Sequence, residues 1–405
     1  MMTKISYIRK IYLVIFLLPG FSAFAQKDNR ITIGFTDTVY SKILNEKRRI
    51  LVHIPNNDRT KHYPVLYILD GDDHFQSAVA IDEQLSGPLP EMIIIGITNT
   101  DRERDLTPTH IQPDQMVNAG DATRSGGGEN FLTFMEKELV PYVDSHYPTT
   151  SYRVFSGHSL GGLTVMNAFF NHTNLFNSYI AIDPSLWWDN QNWIKKYEAE
   201  FPNRSFNNKS LFVAIANNIP VGLDTISVMN DKSEMSLIPR AVLPFVAALR
   251  SARPPGLRWT SKFYPNERHG TVELNAEYDA LRYLFDYYQF RTSQFDGHPE
   301  LNADSVLTAH FKNISAHFGY TVKPSEDIVN NLAYGIWGIS ARQAFQLFKR
   351  NTEEYPQSGN AFDSLGDFYA GTGEKQKAID AYMQSLKLQE TVDTRRKLNE
   401  LKGKK

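Results

Sequence analysis

No cysteine occurs anywhere in the 405 residues. Its absence excludes disulfides, thiolate metal sites, a cysteine nucleophile and lipid attachment at a cysteine, so the chain folds on its core alone. Net charge is nearly missing as well: 43 Lys and Arg against 45 Asp and Glu leave −2, and no broad positive field exists to hold a nucleic acid. The amino-terminal apolar run, Ile11 to Leu18, falls well short of the roughly 18–20 residues that a bilayer span requires. Lys4, Arg9 and Lys10 precede that run and Ala23-Phe24-Ala25 follows it, which is the layout of a secretory signal peptide with an A-x-A site. Cleavage after Ala25 is expected, giving a periplasmic or secreted protein with no membrane span after cleavage.

What the sequence does contain is alternation. "RITIGFTDTVYSKI", "RRILVHIP", "YPVLYILDG", "EMIIIGITNT", "YRVFS", "SYIAID", "LFVAIANN" and "RWTSKFYP" read as strands, several of them continuous branched apolar runs that suit burial on both faces. "HFQSAVAIDEQL", "GGGENFLTFMEKELVPYVDSHY" and "NAEYDALRYLFDYY" carry apolar residues at helical spacing. Strands alternating with helices predict an α/β domain with a mostly parallel sheet over residues 26–290. Residues 291–323 turn polar, with Asp296-Gly297 and His298-Pro299, and read as a connection.

Residues 324–405 carry a repeat. Phe362, Leu365, Gly366 and Tyr369 fit W-x2-L-G-x2-Y with Phe in the Trp place, and Gly373, Ala378 and Tyr382 follow where a tetratricopeptide unit has small, small and aromatic residues. Ala344 and Phe348 stand 34 residues before Ala378 and Tyr382, with Pro356 near the end of that earlier unit. Small residues let paired helices approach while aromatics fill the gap between them. About three repeats are needed for independent stability, so this all-α tail is expected to dock on the larger domain, a protein partner or a second copy.

Gly157-His158-Ser159-Leu160-Gly161 fits G-x-S-x-G between a strand and a helix, the context a nucleophile elbow requires. A serine hydroxyl is too weak an acid to attack an ester unaided and needs a base, in the chain order Ser, acid, His. His172 lies too close along the same helix, and His298, His310 and His317 lie in or beyond the connection. His269 falls in a loop between the last strand and the last helix of the domain. Asp224 is the first carboxylate after "LFVAIANN", the usual place for the acid; Asp183, Glu267 and a Ser–His pair without any carboxylate remain open. The backbone N–H of Leu160 and that of Asp72, or its neighbour Asp73, are the expected oxyanion donors. Asp70, Asp72, Asp73 and His74 can also be read as a metal cluster, but nothing else completes a ligand set. The chemistry calls for no metal and no cofactor. Trp187, Trp188 and the group Arg102, Arg104 and Asp105 are candidates for binding an aromatic or anionic substrate, or for packing and bracing their own loops.

In order, "YILDGDDHF", "TDRERDLTPTH", "GGGENFLTFMEKELVPYV", "SGHSLGGL", "AIDPSLWWDN" and "NERHGTVELNAEYDALRYLF" resemble the motifs of the putative esterase (esterase D-like) family of α/β-hydrolases. The resemblance covers residues 26–290. It implies an α/β-hydrolase fold, Ser159 as nucleophile, His269 as base, and the backbone of Asp72 and Leu160 as the oxyanion hole. The family includes trilactone siderophore esterases, feruloyl and acetyl esterases, S-formylglutathione hydrolases and mycolyltransferases. Pro184-Ser185-Leu186-Trp187-Trp188 is similar to a stretch of the siderophore branch, although Asp183 stands where Ser often precedes the proline. "ANN" stands where some relatives place the acid, and members with a Ser–His dyad leave that option in place. A serine ester hydrolase acting on a small-molecule or glycan ester is the leading expectation. An interaction protein with a vestigial hydrolase domain, and an acyltransferase, are the alternatives.

Overall fold

Branched apolar runs become the interior strands of one eight-stranded sheet, whose order is β1-β2-β4-β3-β5-β6-β7-β8. The strands are β1 (Phe35–Ser41), β2 (Glu46–His53), β3 (Tyr63–Ile68), β4 (Ile93–Ile97), β5 (Thr149–His158), β6 (Ser178–Ile182), β7 (Lys209–Ala216) and β8 (Leu257–Tyr264). The computed structural model describes residues 31–113, 117–198, 200–298 and 300–403; the expected signal peptide, 1–25, lies outside the described residues. β1 and β2 pair antiparallel, as do β2 and β4, and every other neighbouring pair is parallel.

Successive strand residues point to opposite faces, so a strand buried on both sides is apolar at every position. β3 shows this directly: Val65 and Tyr67 feed one core, Leu66 and Ile68 the other. The helix Leu160–Asn171 packs in the first core, and the helices Gly71–Leu85 and Val272–Leu284 in the second. Parallel strands align their carboxyl ends, and loops at that edge of the sheet gather the candidate residues.

The segment 291–323, read as a connection, holds the 16-residue helix Ala303–Phe318. Leu307, Phe311, Ile314 and Phe318 form its buried stripe, and the Phe318 ring stands edge-on to Tyr152 of β5 at 4.7 Å. Its outward face is polar, which masked the apolar stripe in a reading by composition.

The carboxyl-terminal region is all-helical. Glu326–Trp337, Ala341–Glu354 and Gly359–Gly371 bury Leu332, Phe348 and Leu365 in the same continuous core as the strands. Residues 33–405 form one compact unit, so these helices dock on the hydrolase sheet. Ala344 and Phe348, and then Ala378 and Tyr382, occupy corresponding turns of the helices Ala341–Glu354 and Lys375–Leu388, and all four are buried. A β-carbon on Gly366 would lie 2.6 Å from Cδ1 of the Tyr382 ring, and that ring is fixed by its hydroxyl donating to Asp367 Oδ1 at 2.7 Å. Gly366→Ala therefore destabilises the tail by about 1–3 kcal/mol through overpacking. Thermal unfolding checks this: the loss should shrink in the double variant Gly366→Ala, Tyr382→Leu.

Candidate active site

Ser159 sits between β5 and the helix Leu160–Asn171 with φ 61° and ψ −118°, a conformation that L-residues rarely adopt and that raises the backbone energy by about 1–3 kcal/mol. The turn closes so tightly that a β-carbon on Gly157 would fall 2.6 Å from the carbonyl carbon of Gly161. Only glycine fits there. The turn is pinned to the neighbouring strand by the Ser159 N–H donating to the Ile182 carbonyl at 3.0 Å. The hydroxyl is left with two neighbours: it donates to His269 Nε2 at 2.9 Å, and Ser185 Oγ stands 3.4 Å away.

His269 lies in the loop between β8 and the helix Val272–Leu284. Its Nδ1–H donates to Asp183 Oδ2 at 2.6 Å. Asp183 follows β6, is wholly buried, and has φ 40°. Its Oδ1 accepts the Ala216 N–H at 2.9 Å and its Oδ2 accepts Asn218 Nδ2–H at 2.8 Å. Asn218 also accepts the His269 backbone N–H at 3.0 Å, so one side chain fixes both acid and base. Three donors thus satisfy the oxygens of this buried side chain.

This corrects the expected acid. Asp224 is exposed, and its Oδ1 accepts from the backbone and hydroxyl of Ser227 at 2.7 Å each. It organises its own turn and does not meet His269. Glu267 takes Thr271 Oγ1–H and Asn275 Nδ2–H and shapes the loop that carries the histidine. The "ANN" stretch stands where some relatives place the acid. Its second asparagine is instead the acid's partner.

Leu160 opens its helix and Gly71 opens the helix Gly71–Leu85, so the first N–H groups of both have no carbonyl one turn back within their own helix. The Asp73 N–H is already engaged with the Asp70 carbonyl at 3.0 Å, which leaves Asp72 as the expected second donor. Asp70, in the left-handed conformation at φ 51°, receives Arg102 through Nε at 2.7 Å and Nη2 at 2.9 Å, and Asn99 at 2.6 Å. Burial alone would raise the Asp70 carboxyl; Arg102 and Asn99 outweigh it and hold the group below the usual carboxylate range. Asp72 pairs with Arg49 and His74 with Glu273. Three of the four residues of the possible metal cluster, Asp70, Asp72 and His74, thus face separate partners.

The expected substrate contacts are largely structural. Trp188 is 2% exposed, and its indole N–H donates to the Thr109 carbonyl at 3.1 Å. Arg104 is engaged by Asp105 at 2.7 Å and by Glu46 at 2.7 Å, while Arg48 closes the same buried group on Asp105 at 2.5 Å. Trp187, half-buried against the core, keeps part of its surface free. His158, beside the nucleophile, was passed over in the sequence. Burial, with the His269 and His74 imidazoles nearby, lowers it to about 4, so it stays neutral through the working range.

Residues 41–217 match the family model described as Putative esterase. Among curated proteins the chain is similar to ferri-bacillibactin esterase BesA of Bacillus subtilis, 29% identical over 206 residues that cover 46% of this chain and 71% of that protein. It is also similar to the siderophore enterobactin esterase of Emericella nidulans, 31% identical over 143 residues, 31% of this chain and 47% of that protein. Among solved structures, an IroE-like serine hydrolase from Shewanella oneidensis is 29% identical, with a TM-score of 0.67 over 80% of this chain and 99% of that one. The family match ends before His269, whose place in the site rests on the geometry above.

Proposed function

We propose that the chain is a serine ester hydrolase with Ser159 as its nucleophile and a siderophore ester as its substrate, a reading supported by the match of residues 41–217 to the family model described as Putative esterase. The observation that carries the site is the unbroken line from Asp183 through His269 to Ser159, at 2.6 and 2.9 Å. In this reading Ser159 Oγ attacks the ester carbonyl while His269 Nε2 takes its proton. The tetrahedral oxyanion lies against the N–H groups of Leu160 and Asp72, where fixed donors are worth about 3–4 kcal/mol in the transition state. The imidazolium, held by Asp183, returns the proton to the leaving alcohol. Water then repeats the steps on the acyl-enzyme and frees the acid.

The substrate half rests on the two curated relatives, named as a ferri-bacillibactin esterase and a siderophore enterobactin esterase, and they favour a siderophore ester over an acylated glycan. A triad with every hydrogen bond in place supports a working enzyme over a vestigial one. The signal-peptide layout of residues 1–25 supports action outside the cytoplasm, and the repeat spacing supports a tetratricopeptide-like tail.

Incubation of the purified protein with a tris-catecholate trilactone, iron-loaded and iron-free, followed by mass spectrometry, tests this. Linear ring-opened products are expected, and none with Ser159→Ala. Deacetylation of acetylated xylan with the trilactone untouched would overturn the substrate. Product formed only when an alcohol acceptor is added would make the protein an acyltransferase. Failure of a fluorophosphonate probe to label Ser159 would overturn the mechanism.

A further inference from the structure

Beneath the triad lies a set of buried ionisable groups that the hydrolytic steps do not use. Ser156, three residues before the nucleophile on β5, donates its hydroxyl to Glu277 Oε2 at 2.6 Å. Glu277 stands on the helix Val272–Leu284, which begins three residues after His269. One helical turn earlier on the same face, Glu273 pairs through Oε2 with His74 Nδ1 at 3.4 Å. His74 stands on the helix Gly71–Leu85, which starts at the oxyanion loop. The His158 ring lies between the two sets, 4.4 Å from the His269 ring and 5.9 Å from that of His74. These few side chains thus join the three segments that carry nucleophile, base and oxyanion donors.

Glu273 Oε1 and Glu277 Oε1 are both buried and have no hydrogen-bond partner among the described residues. Two buried carboxylates one turn apart repel, and a proton on one of them removes the repulsion. We propose that Glu277 holds a proton and, with Glu273 and His74, forms a clamp that positions the nucleophile elbow and the His269 loop, so that ester turnover declines on the alkaline side when that proton leaves. The three are positioning residues, acting through Ser156 and His158.

The electrostatics agree in direction. Burial, then the Glu273 carboxylate, push Glu277 above the usual range, against the opposing effects of the Ser156 hydroxyl and His74. Burial alone would lower His74, but Glu273, with Asp70 and Glu277 behind it, holds it above its ordinary value. Strands β6 and β7, which also pack on this helix, contribute no carboxylate or histidine to it. A carboxyl whose folded value is raised keeps its proton through neutrality and loses it as pH climbs further, so the clamp is whole at neutral pH and opens above it.

The proposal rests on the serine-hydrolase reading, and the experiment separates the two. kcat and KM for p-nitrophenyl acetate are measured from about pH 5 to about pH 10, where a Ser–His enzyme without such a clamp rises through the histidine pKa and then levels off. The expected wild-type profile falls again on the alkaline side, in kcat and not in KM. Glu277→Gln, which keeps the shape of the protonated acid, should hold neutral kcat within about threefold and remove the alkaline fall. His74→Gln removes the imidazole that opposes the rise of Glu277 and should move the fall to higher pH; it serves also if Glu277→Gln does not fold. A wild-type plateau, or an alkaline fall unmoved in the folded variants, would overturn the clamp. Turnover that persists in Ser159→Ala would instead overturn the hydrolase reading beneath it.

Discussion

Ser159→Ala should lower kcat for p-nitrophenyl acetate by about 10⁴- to 10⁶-fold, with the residual rate set by the oxyanion donors and substrate binding alone. The magnitude follows from what the hydroxyl touches. Its neighbours are His269 Nε2 and Ser185 Oγ, so its removal deletes the nucleophile and otherwise gives up only the long contact with the Ser185 hydroxyl. Alanine keeps the β-carbon and with it the strained backbone at φ 61°, so stability should change little. Ser159→Gly is the informative companion. It is as inactive as alanine but relieves the strain, and should unfold later by an amount corresponding to about 1 kcal/mol. Stopped-flow turnover and thermal unfolding of the three proteins check both halves. A Ser159→Ala protein retaining a tenth of the wild-type rate would remove the nucleophile from this account.

Much of this site was legible in the sequence because its constraints are local. The elbow must have glycine where Gly157 meets Gly161, and it must lie between a strand and a helix; both requirements are written in consecutive residues. His269 was legible by elimination, since other histidines fall in the wrong elements. The acid was not, because its partner is chosen by sheet adjacency. β6 pairs with β5, setting Ile182 beside His158 and Asp183 beside the nucleophile. Asp224 follows the next strand but curls back on Ser227. No spacing rule separates those outcomes without knowing which loop bends inward. The helix Ala303–Phe318 was hidden for a related reason: its five buried residues are diluted by polar ones that face outward. Arg104 and Trp188 show the reverse error, in which side chains suited to ligand binding are held by Glu46, Asp105 and Thr109.

Asp183→Asn should lower kcat by about 10⁴-fold, and Asp224→Asn should leave it within about twofold. Asp183 faces three donors, the Ala216 N–H on one oxygen and His269 and Asn218 on the other. An amide at this position has only one acceptor atom. If its oxygen keeps Ala216, its NH2 meets His269 Nδ1, which must then act as acceptor. The ring proton moves to Nε2, where it points at Ser159 and blocks proton abstraction. If the amide turns over, its NH2 opposes a buried backbone N–H, and folding loses about 1–3 kcal/mol. The two orientations predict different signatures, a dead enzyme that loses the Asn218 contact alone or a more weakened fold, and in both the histidine loses its carboxylate partner. Asn218→Ala should fall between these variants, because it removes one donor from Asp183 and one acceptor from the His269 backbone while leaving the carboxylate on the ring. An inactive Asp224→Asn beside an active Asp183→Asn would put the acid back in the loop after β7 and would require that loop to swing over His269 when substrate binds.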